Sequence, residues 1–546
     1  MIKFLQHKPY LFWTLVGALV YIPFLGASHL FDWDEINFAE SAREMIVSGD
    51  YVSVQINFLP FWEKPPLFIW LQALSFTLFA TFTDQAWVSM EFAARFPNAL
   101  IGIATLCTIY TIGKRHFSAL FGHMWAFAYL AAITPHVYAS SGIIDPLFNL
   151  FIFLGIYFFA EFVADSRQLK HAFFAGAMIG LGMLTKGPVA LLLWGLSLLV
   201  FAVLQFKNLK ARVGRLFFGA CLAGLLACVF FVSWYGMIAM KFGFGIIEDF
   251  FAYQIRLLTT GDAGHGQPFY YHALVLLFGC FPISILAMGR LGIGLRSKHP
   301  FSVLMRVLFW VVLILFSLVK TKIVHYSSMC WLPLSFFAAQ VLSDWKAGNW
   351  TWSRPYTVGL VVVGILFGFI LSAVPFIGEH AFEFAAKIQD VFVRGNLQAP
   401  VEWSGWEKGI GVAYIGTIAY FLFRKAQVKP MQIFSLMASG VFIIMVYMSV
   451  VVPKIEGYTQ ATPIDFYVSK VGQHVYIETV GFKSFAHLLY FQKPAGSPSG
   501  ETLLAAKKLD RPAFFVMKVD AEEKFKYHPN LIFIKEENGF LFYKHR

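Results

Sequence analysis

The sequence predicts a polytopic α-helical membrane protein with about thirteen transmembrane helices, further interfacial helices and a small C-terminal α/β domain. This prediction rests on the composition and on the repeated apolar runs. Of the 546 residues, 58% are hydrophobic and only 14% are charged, whereas a soluble domain carries roughly 25% charged residues. Aromatic residues make up 18% of the chain, as is typical of helices anchored at the membrane surface by Trp and Tyr. This composition excludes an ordinary soluble protein.

Thirteen apolar runs are close in length to the roughly 20 residues that a membrane-spanning helix needs. They are 11–28, 97–113, 118–135, 146–163, 171–186, 188–206, 214–236, 270–289, 301–319, 323–342, 356–375, 408–423 and 431–452. The first run has the length of a signal peptide. It lacks a small-x-small cleavage site and many runs follow it, so we interpret it as a retained helix.

A fourteenth apolar run, 67–82, decides the topology. If it does not cross the membrane, the short loops on one side are dense in basic residues, as in Lys207, Lys210, Arg212 and Arg215. The longer segments on the other side then hold few of them. Because basic loops stay in the cytoplasm, we expect 67–82 to lie at the outer interface and the N-terminus to be cytoplasmic. This topology also explains the net charge of +12, so we predict no nucleic-acid partner.

The chain divides into a transmembrane domain, 1–452, and an extracytoplasmic α/β domain, 453–546. Within the first we predict an outer loop with interfacial helices at 29–96 and a second outer loop at 237–270. Beyond 452, charged residues become frequent and short apolar runs alternate with polar ones. Asn538-Gly539 between two such runs is a hairpin signal.

Carboxylates gather on the outer side of this topology. Directly after the first span comes Asp32-Trp33-Asp34-Glu35. An N-cap accounts for one carboxylate but not for three acids in four residues, so we favour catalytic roles for Asp34 and Glu35. Asp145-Pro146 begins another span, and for Asp145 an N-cap and a functional role are equally good interpretations. All five cysteines lie in apolar runs without a CxxC pair, which predicts neither disulfides nor a thiolate metal site.

Outward cations accompany these acids. Glu63-Lys64-Pro65-Pro66 opens the 67–82 helix, and a helix N-terminus beside a lysine suits a phosphate. A lysine reaching to lipid headgroups is the alternative. Arg256, Lys186, Lys320 and Lys322 also lie outward, against the inward bias, which indicates an anionic partner, either a lipid headgroup or a substrate. Acids and cations at one depth predict an outer site for a phosphorylated lipid.

Several motifs resemble the ArnT family, the bacterial aminoarabinose transferases that act on lipid A and are relatives of the protein O-mannosyltransferases. The resemblance covers residues 30–330. The motifs are Asp34-Glu35, Ala39-Glu40, Arg43-Glu44-Met45, Ser48-Gly49-Asp50, Glu63-Lys64-Pro65-Pro66, Ala94-Arg95-Phe96-Pro97, Asp145-Pro146-Leu147, Leu184-Thr185-Lys186-Gly187-Pro188, and His265 ahead of Pro268-Phe269-Tyr270-Tyr271. The stretch His325-Tyr326-Ser327-Ser328 matches loosely, and 376–407 and the tail do not match, so the acceptor stays open.

The resemblance implies a GT-C fold and roles for individual residues. Asp34 matches the leading acidic residue of the family and Asp145 the second. Lys64, Arg256 and Tyr326 match residues at the donor phosphate. Glu63 and His265 match positions that hold zinc in this family, although two ligands fall short of an ordinary closed zinc site. We expect no required cofactor.

The predicted function is a glycosyltransferase of the bacterial cytoplasmic membrane that takes its sugar from a polyprenyl-phosphate donor. The acceptor would be lipid A or another glycolipid, reached by inverting displacement. An enzyme acting on protein hydroxyls is an open alternative, and so is a transporter of lipid-linked sugars. A transporter predicts charged residues at mid-membrane and broken helices in paired halves, which the sequence does not contain. We expect a monomer in contact with membrane lipids.

Overall fold

The computed structural model describes residues 7–259, 266–292, 299–424 and 427–546, and it confirms the predicted fold class. The α-helices of five or more residues are Pro9–Tyr21, Asp34–Ser48, Leu67–Leu78, Met90–His116, Ala119–Leu130, Ile133–Ala139, Asp145–Ala164, Leu169–Lys186, Val189–Leu204, Val213–Phe242, Gly245–Thr259, Tyr271–Gly279, Ile283–Leu291, Pro300–Leu318, Trp331–Lys346, Arg354–Glu379, Ala381–Ala385, Val391–Asn396, Gly409–Phe423, Pro430–Val450, Val452–Thr459, Ala461–Val468, Ala486–Tyr490 and Gly500–Ala505. The strands are β1 (Gln55–Ile56), β2 (Leu59–Pro60), β3 (Tyr476–Thr479), β4 (Ala513–Lys518), β5 (Leu531–Glu537) and β6 (Phe540–His545).

Each of the thirteen predicted spans coincides with helical structure, although the span 323–342 begins with the 3-10 helix Val324–Cys330 and becomes α-helical only at Trp331. Within the described ranges, six helical segments are long and apolar enough to cross a membrane, namely Met90–His116, Asp145–Ala164, Phe206–Phe242, Pro300–Leu318, Arg354–Glu379 and Pro430–Thr459. Shorter apolar helices include Pro9–Tyr21, Ala119–Leu130, Val189–Leu204 and Gly409–Phe423. The protein is therefore a membrane protein.

Two predicted spans are interrupted, and proline marks both places. The run 270–289 forms two helices that meet around Pro282, which has no N–H to continue the hydrogen-bond ladder. The run 118–135 ends its first helix at Leu130 and continues as Ile133–Ala139. Pro135 lies in the first turn of that second helix, where a missing N–H leaves no hydrogen bond unmade.

The segment 67–82 belongs to the first loop, residues 29–96. Its helix ends at Leu78 and packs beside the start of Met90–His116. Gln72 Nε2 donates to the Ala94 carbonyl at 3.0 Å, and Ser75 Oγ donates to the Ala93 carbonyl at 2.6 Å. Both contacts lie at the beginning of the helix Met90–His116, so the two helices pack together. The position of 67–82 at the outer interface, or only dipping into the membrane, stays a prediction.

The transmembrane core is packed with aromatic rings and small residues. Trp125, Phe153, Phe301 and Phe336 are all buried, with ring centroids of contacting pairs 5.0 to 6.3 Å apart. Elsewhere helices touch through glycine. A Cβ on Gly176 would lie 2.5 Å from the carbonyl oxygen of Ala223, so the helices Leu169–Lys186 and Val213–Phe242 approach each other closely only because this position carries no side chain.

The C-terminal domain is built on a four-stranded sheet in the order β3-β4-β6-β5. Strands β3 and β4 are parallel, and the other pairs are antiparallel. The predicted hairpin is present: Asn538 and Gly539 join β5 to β6 with φ angles of 52° and 76°. Two positive φ angles suit a tight turn that matches the strand twist, which explains the Asn-Gly pair.

Residues from the C-terminal part of the chain hold the segment that precedes the Asp34–Ser48 helix. Gln460 is central to this contact: its Oε1 accepts from the Asp32 N–H at 3.2 Å, and its Nε2 donates to the Leu30 carbonyl at 2.8 Å. The Tyr490 hydroxyl accepts from the Leu30 N–H at 2.7 Å. His29 Nδ1 lies 3.1 Å from Glu456 Oε1. The start of the first loop is thus fixed by side chains more than 400 residues away in sequence.

Candidate functional site

Asp145 is the buried carboxylate at the centre of the site. It begins the Asp145–Ala164 helix, with Pro146 in the first turn, and is 2% exposed. Lys186 Nζ donates to Asp145 Oδ1 at 2.6 Å. Lys186 is the last residue of its helix, which Gly187 ends with φ 84°. The start of one helix and the end of another therefore place opposite charges in contact, and each charge suits the helix end that carries it.

Aromatic rings surround the Lys186 ammonium. Its nitrogen lies 5.7 Å from the centroid of Phe148 and 5.6 Å from that of Tyr326. The structure thus places Tyr326 and Lys186, two predicted donor-phosphate residues, together beside Asp145. A lysine between aromatic faces is stabilised in its charged form.

Asp34 and Lys64 lie close enough to this pair to share its electrostatic field. The charges of Asp34, Asp145, Lys64 and Lys186 all act on the buried imidazole of His325. Lys64 also acts on Asp145 directly. Two carboxylates and two ammonium groups from separate parts of the sequence are therefore near enough for their charges to act on one imidazole.

Glu35, the neighbour of Asp34, has a different environment. Its carboxylate accepts from Arg95 Nε at 2.9 Å and Nη2 at 2.8 Å, from the Gly142 N–H at 2.5 Å and from the Phe31 N–H at 2.9 Å. Burial raises the pKa of Glu35, but the Arg95 guanidinium and the hydrogen bonds outweigh it and hold that pKa below its usual value. These contacts tie three segments together, around residues 31–35, 95 and 142, and the predicted catalytic role of Glu35 stays a prediction.

The remaining predicted cations have contacts of their own. Lys322 is buried and its Nζ donates to the Val319 carbonyl at 2.6 Å. Lys320 is exposed. Arg256 lies near the end of the Gly245–Thr259 helix, with its guanidinium carbon 5.2 Å from the Tyr253 ring centroid. Phosphate binding by these three residues stays a prediction.

Only one of the two predicted metal ligands, Glu63 and His265, lies among the described residues. Glu63 is half-buried in the first loop, and His265 lies outside the described residues. Over the described ranges, no three His, Cys, Asp or Glu side chains form a group that could hold a metal ion. The described residues thus supply one predicted ligand, and zinc binding stays a prediction.

A second buried acidic group lies further along the Asp34–Ser48 helix. Arg43 donates to both oxygens of Glu40, at 2.7 and 2.6 Å, and to the Lys493 carbonyl at 3.2 Å. Glu44 is fully buried beside them, and its Oε2 accepts from the Phe58 N–H at 2.8 Å. Burial, and then the nearby Glu40 carboxylate, raise the pKa of Glu44 to about 9. Glu44 is therefore neutral at pH 7.

The sequence reasoning missed two polar residues of the Asp145 site. Ser328 Oγ lies 3.4 Å from Asp145 Oδ1 and donates to Asn149 Oδ1 at 3.3 Å. Asn149 follows Asp145 by four residues, so both lie on one helix face, and this spacing is a signal that could have found it. For Ser328, more than 180 residues away, no local pattern exists.

The chain is similar in sequence to known proteins. The model of the dolichyl-phosphate-mannose-protein mannosyltransferase family matches residues 63–234. The undecaprenyl phosphate-alpha-4-amino-4-deoxy-L-arabinose arabinosyl transferase 1 of Sodalis glossinidius is 28% identical over 333 residues, 59% of this chain and 56% of that protein. The undecaprenyl phosphate-alpha-4-amino-4-deoxy-L-arabinose arabinosyl transferase of Photorhabdus laumondii is 24% identical over 426 residues, 75% of this chain and 70% of that protein. The chain spans only a little over half of relatives such as the Sodalis protein.

Solved structures extend the similarity to the whole chain. ArnT from Cupriavidus metallidurans bound to undecaprenyl phosphate superposes with a TM-score of 0.76 at 19% identity, covering 98% of this chain and 97% of that one. The same protein in its apo state gives a TM-score of 0.73. The resemblance seen in the sequence motifs is confirmed: the chain is similar in sequence to the aminoarabinose transferases and shares the fold of ArnT, which is of the GT-C type.

Proposed function

We propose that this protein is a membrane glycosyltransferase that moves a sugar from a polyprenyl-phosphate donor to an acceptor outside the bacterial cytoplasmic membrane. The observation that carries the proposal is the ion pair of Asp145 with Lys186 beside Tyr326, with the charges of Asp34 and Lys64 near enough to act on the neighbouring His325. Cations suit the phosphate of the donor, and a carboxylate suits the acceptor. The aminoarabinose transferases similar to this chain are named for an undecaprenyl-phosphate sugar, which supports this class of donor.

The reaction would be a direct displacement at the anomeric carbon, which inverts its configuration. The leaving polyprenyl phosphate is an anion, so it needs cations rather than a general acid. Lys64 and Lys186 supply two ammonium groups, and the start of the Leu67–Leu78 helix adds its partial positive charge. Asp145 holds Lys186 in place through their 2.6 Å ion pair.

Asp34 acts on the acceptor side in this mechanism. For an acceptor hydroxyl, its carboxylate takes the proton as the new bond forms. An acceptor phosphate is already ionised, so for that acceptor Asp34 stabilises the positive charge that develops on the sugar. Lipid A or another glycolipid is the acceptor we favour, because the similar chains are aminoarabinose transferases. The mannosyltransferase model over 63–234 favours protein hydroxyls as the second candidate.

Transfer of a radiolabelled lipid-linked sugar by isolated membranes tests the donor side. We expect Asp34→Asn, Asp145→Asn and Lys64→Ala each to lower turnover about 100-fold, the scale on which charge-stabilising groups act. Lys508→Ala, in an exposed part of the C-terminal domain, is the control and should retain turnover. Full activity in all three site variants, at equal protein levels, would refute the mechanism.

The acceptor is tested in a deletion strain. Mass spectrometry of lipid A should show the loss of a sugar addition, restored by the wild-type gene and not by the Asp34→Asn variant. An unchanged lipid A together with lost glycans on secreted proteins would instead establish the protein-hydroxyl alternative.

A further inference from the structure

The C-terminal domain meets the first loop at the carboxyl ends of its parallel strands. Strand β3 ends at Thr479, and the segment 482–485 that follows lies against the residues just before Asp34. The rings of Phe485 and Trp33 are 4.8 Å apart in an edge-to-face contact. The Asp32 carboxylate lies at the same place: burial raises its pKa, and the nearby Ser484 side chain and Phe485 N–H lower it. The carboxyl ends of parallel strands are where α/β sheets bind ligands.

Two lysines lie at this junction on aromatic surfaces. The Lys483 nitrogen is 4.8 Å from the Trp33 ring centroid and 5.5 Å from that of Phe485. Lys518, at the end of β4, lies 4.3 Å from Phe392 and 5.4 Å from the Phe482 centroid.

Neither lysine has an acidic partner within 4.0 Å among the residues that the structure describes. Contact with an aromatic face restricts where each ammonium lies, but it leaves the positive charge unneutralised. The Asp32 carboxylate is close enough to interact with the charge of Lys518 and offsets part of it, whereas Lys483 is exposed at the junction.

The aromatic residue that contacts Lys483 directly precedes the proposed catalytic carboxylate in the chain. Trp33 is the residue before Asp34, and its indole keeps 42% of its surface exposed, while Lys483 is exposed as well. Trp33 and Asp34 are consecutive residues, so a ligand on Lys483 and the exposed part of Trp33 would be bound by the residue that immediately precedes Asp34. An exposed aromatic surface suits the apolar face of a sugar ring, and an ammonium suits a phosphate.

We propose that Lys483 and Trp33 form an acceptor subsite for a phosphorylated sugar headgroup, with Lys518 adding positive potential behind it. The C-terminal domain then makes one wall of the active site. This inference rests on the proposed function, since it assigns the acceptor side of that reaction. If Lys483 had only a structural role, it would hold the domain against the loop and would not bind anionic sugars.

Chemical protection of lysines tests the subsite without measuring transfer. The full-length protein in detergent is treated with an amine-reactive acetylating reagent, and each lysine is followed by peptide mass spectrometry. The probe is N-acetylglucosamine 1-phosphate. At about ten times its dissociation constant, we expect the labelling of Lys483 to slow about tenfold, because the rate follows the unoccupied fraction. Lys508 should label at one rate with and without the probe, since it precedes β4 and so lies at the opposite end of the parallel strands.

Matched ligands and variants sharpen the result. N-acetylglucosamine and inorganic phosphate, each at the same concentration, should protect Lys483 less than the sugar phosphate does. Trp33→Ala should weaken protection by the sugar phosphate, and Trp33→Phe should restore part of it. Unchanged labelling of Lys483 in the presence of the probe overturns the proposal, as does equal protection by inorganic phosphate. Protection in a protein that transfers no sugar would refute the proposed function and leave the subsite standing.

Discussion

Asp145 and Glu35 are both buried carboxylates, and their partners give them different chemical character. Asp145 pairs with a lysine that aromatic rings surround, beside the other charges of the site. Glu35 instead has both oxygens occupied by a guanidinium and two backbone N–H groups. A carboxylate with filled hydrogen-bonding capacity is well suited to hold segments together.

Replacing Glu35 by Ala should therefore destabilise the fold strongly. Arg95 is 5% exposed, and removing its partner leaves a buried charge unpaired, which costs about 3–5 kcal/mol. The expected result is a large drop in the thermal unfolding midpoint of the purified protein. The double variant Glu35→Leu with Arg95→Met should lose less than Glu35→Ala, because it leaves no uncompensated charge. A midpoint equal to wild type in Glu35→Ala would contradict this account.

The raised pKa of Glu44 predicts that the folded protein loses stability as the pH rises. Its pKa of about 9 in the folded protein lies above the ordinary value of 4.5. The protonated form is thus favoured by folding, and this contribution is fully present below about pH 4.5 and lost as the pH rises towards 9. Wild type should lose stability relative to Glu44→Gln between pH 5 and pH 9. Unfolding midpoints of both proteins at pH 5, 7 and 9 measure the difference, and a constant difference would show that Glu44 does not titrate in this way.

At the scale of elements, apolar runs located the helices well because burial in lipid demands long apolar stretches whatever their tertiary partners. The hairpin at Asn538-Gly539 was equally readable, since its backbone geometry is local. The interruption near Pro282 was missed because a run of apolar residues does not reveal where the backbone leaves the helix.

The site was readable only in part, for a related reason. The motifs identified Asp34, Lys64 and Asp145. The ion pair of Asp145 with Lys186, and that of Glu35 with Arg95, join residues 41 and 60 positions apart. Such pairs are set by helix packing, which a single sequence does not display.

Close packing between two of these helices gives a prediction with an internal control. Gly176→Ala places a methyl group 2.5 Å from the Ala223 carbonyl oxygen, and overpacking of this kind costs about 1–3 kcal/mol. Gly224→Ala, on the facing helix with nothing within 4 Å of the new methyl, should be neutral or stabilising by up to about 1 kcal/mol. Thermal unfolding of both variants decides the matter, and equal effects would contradict the close contact.

At the scale of the whole molecule, basic loops predict a cytoplasmic N-terminus and an extracytoplasmic C-terminal domain. Alkaline phosphatase fused after Arg546 should therefore be active, because it folds only outside the cytoplasm. The same enzyme inserted after Lys210, in a basic loop, should be inactive. The reverse pattern would invert the topology and move the proposed site to the cytoplasmic face.

The hydrogen bonds from Gln460 and Tyr490 to the segment before Asp34 also bear on when that segment becomes ordered. Ribosomes make Asp34 early, but its supports emerge only after every membrane helix has been synthesised. A partly made chain that already contains Asp34 lacks the hydrogen bonds that fix the segment before it. We therefore expect this segment to become ordered only when translation and insertion are complete.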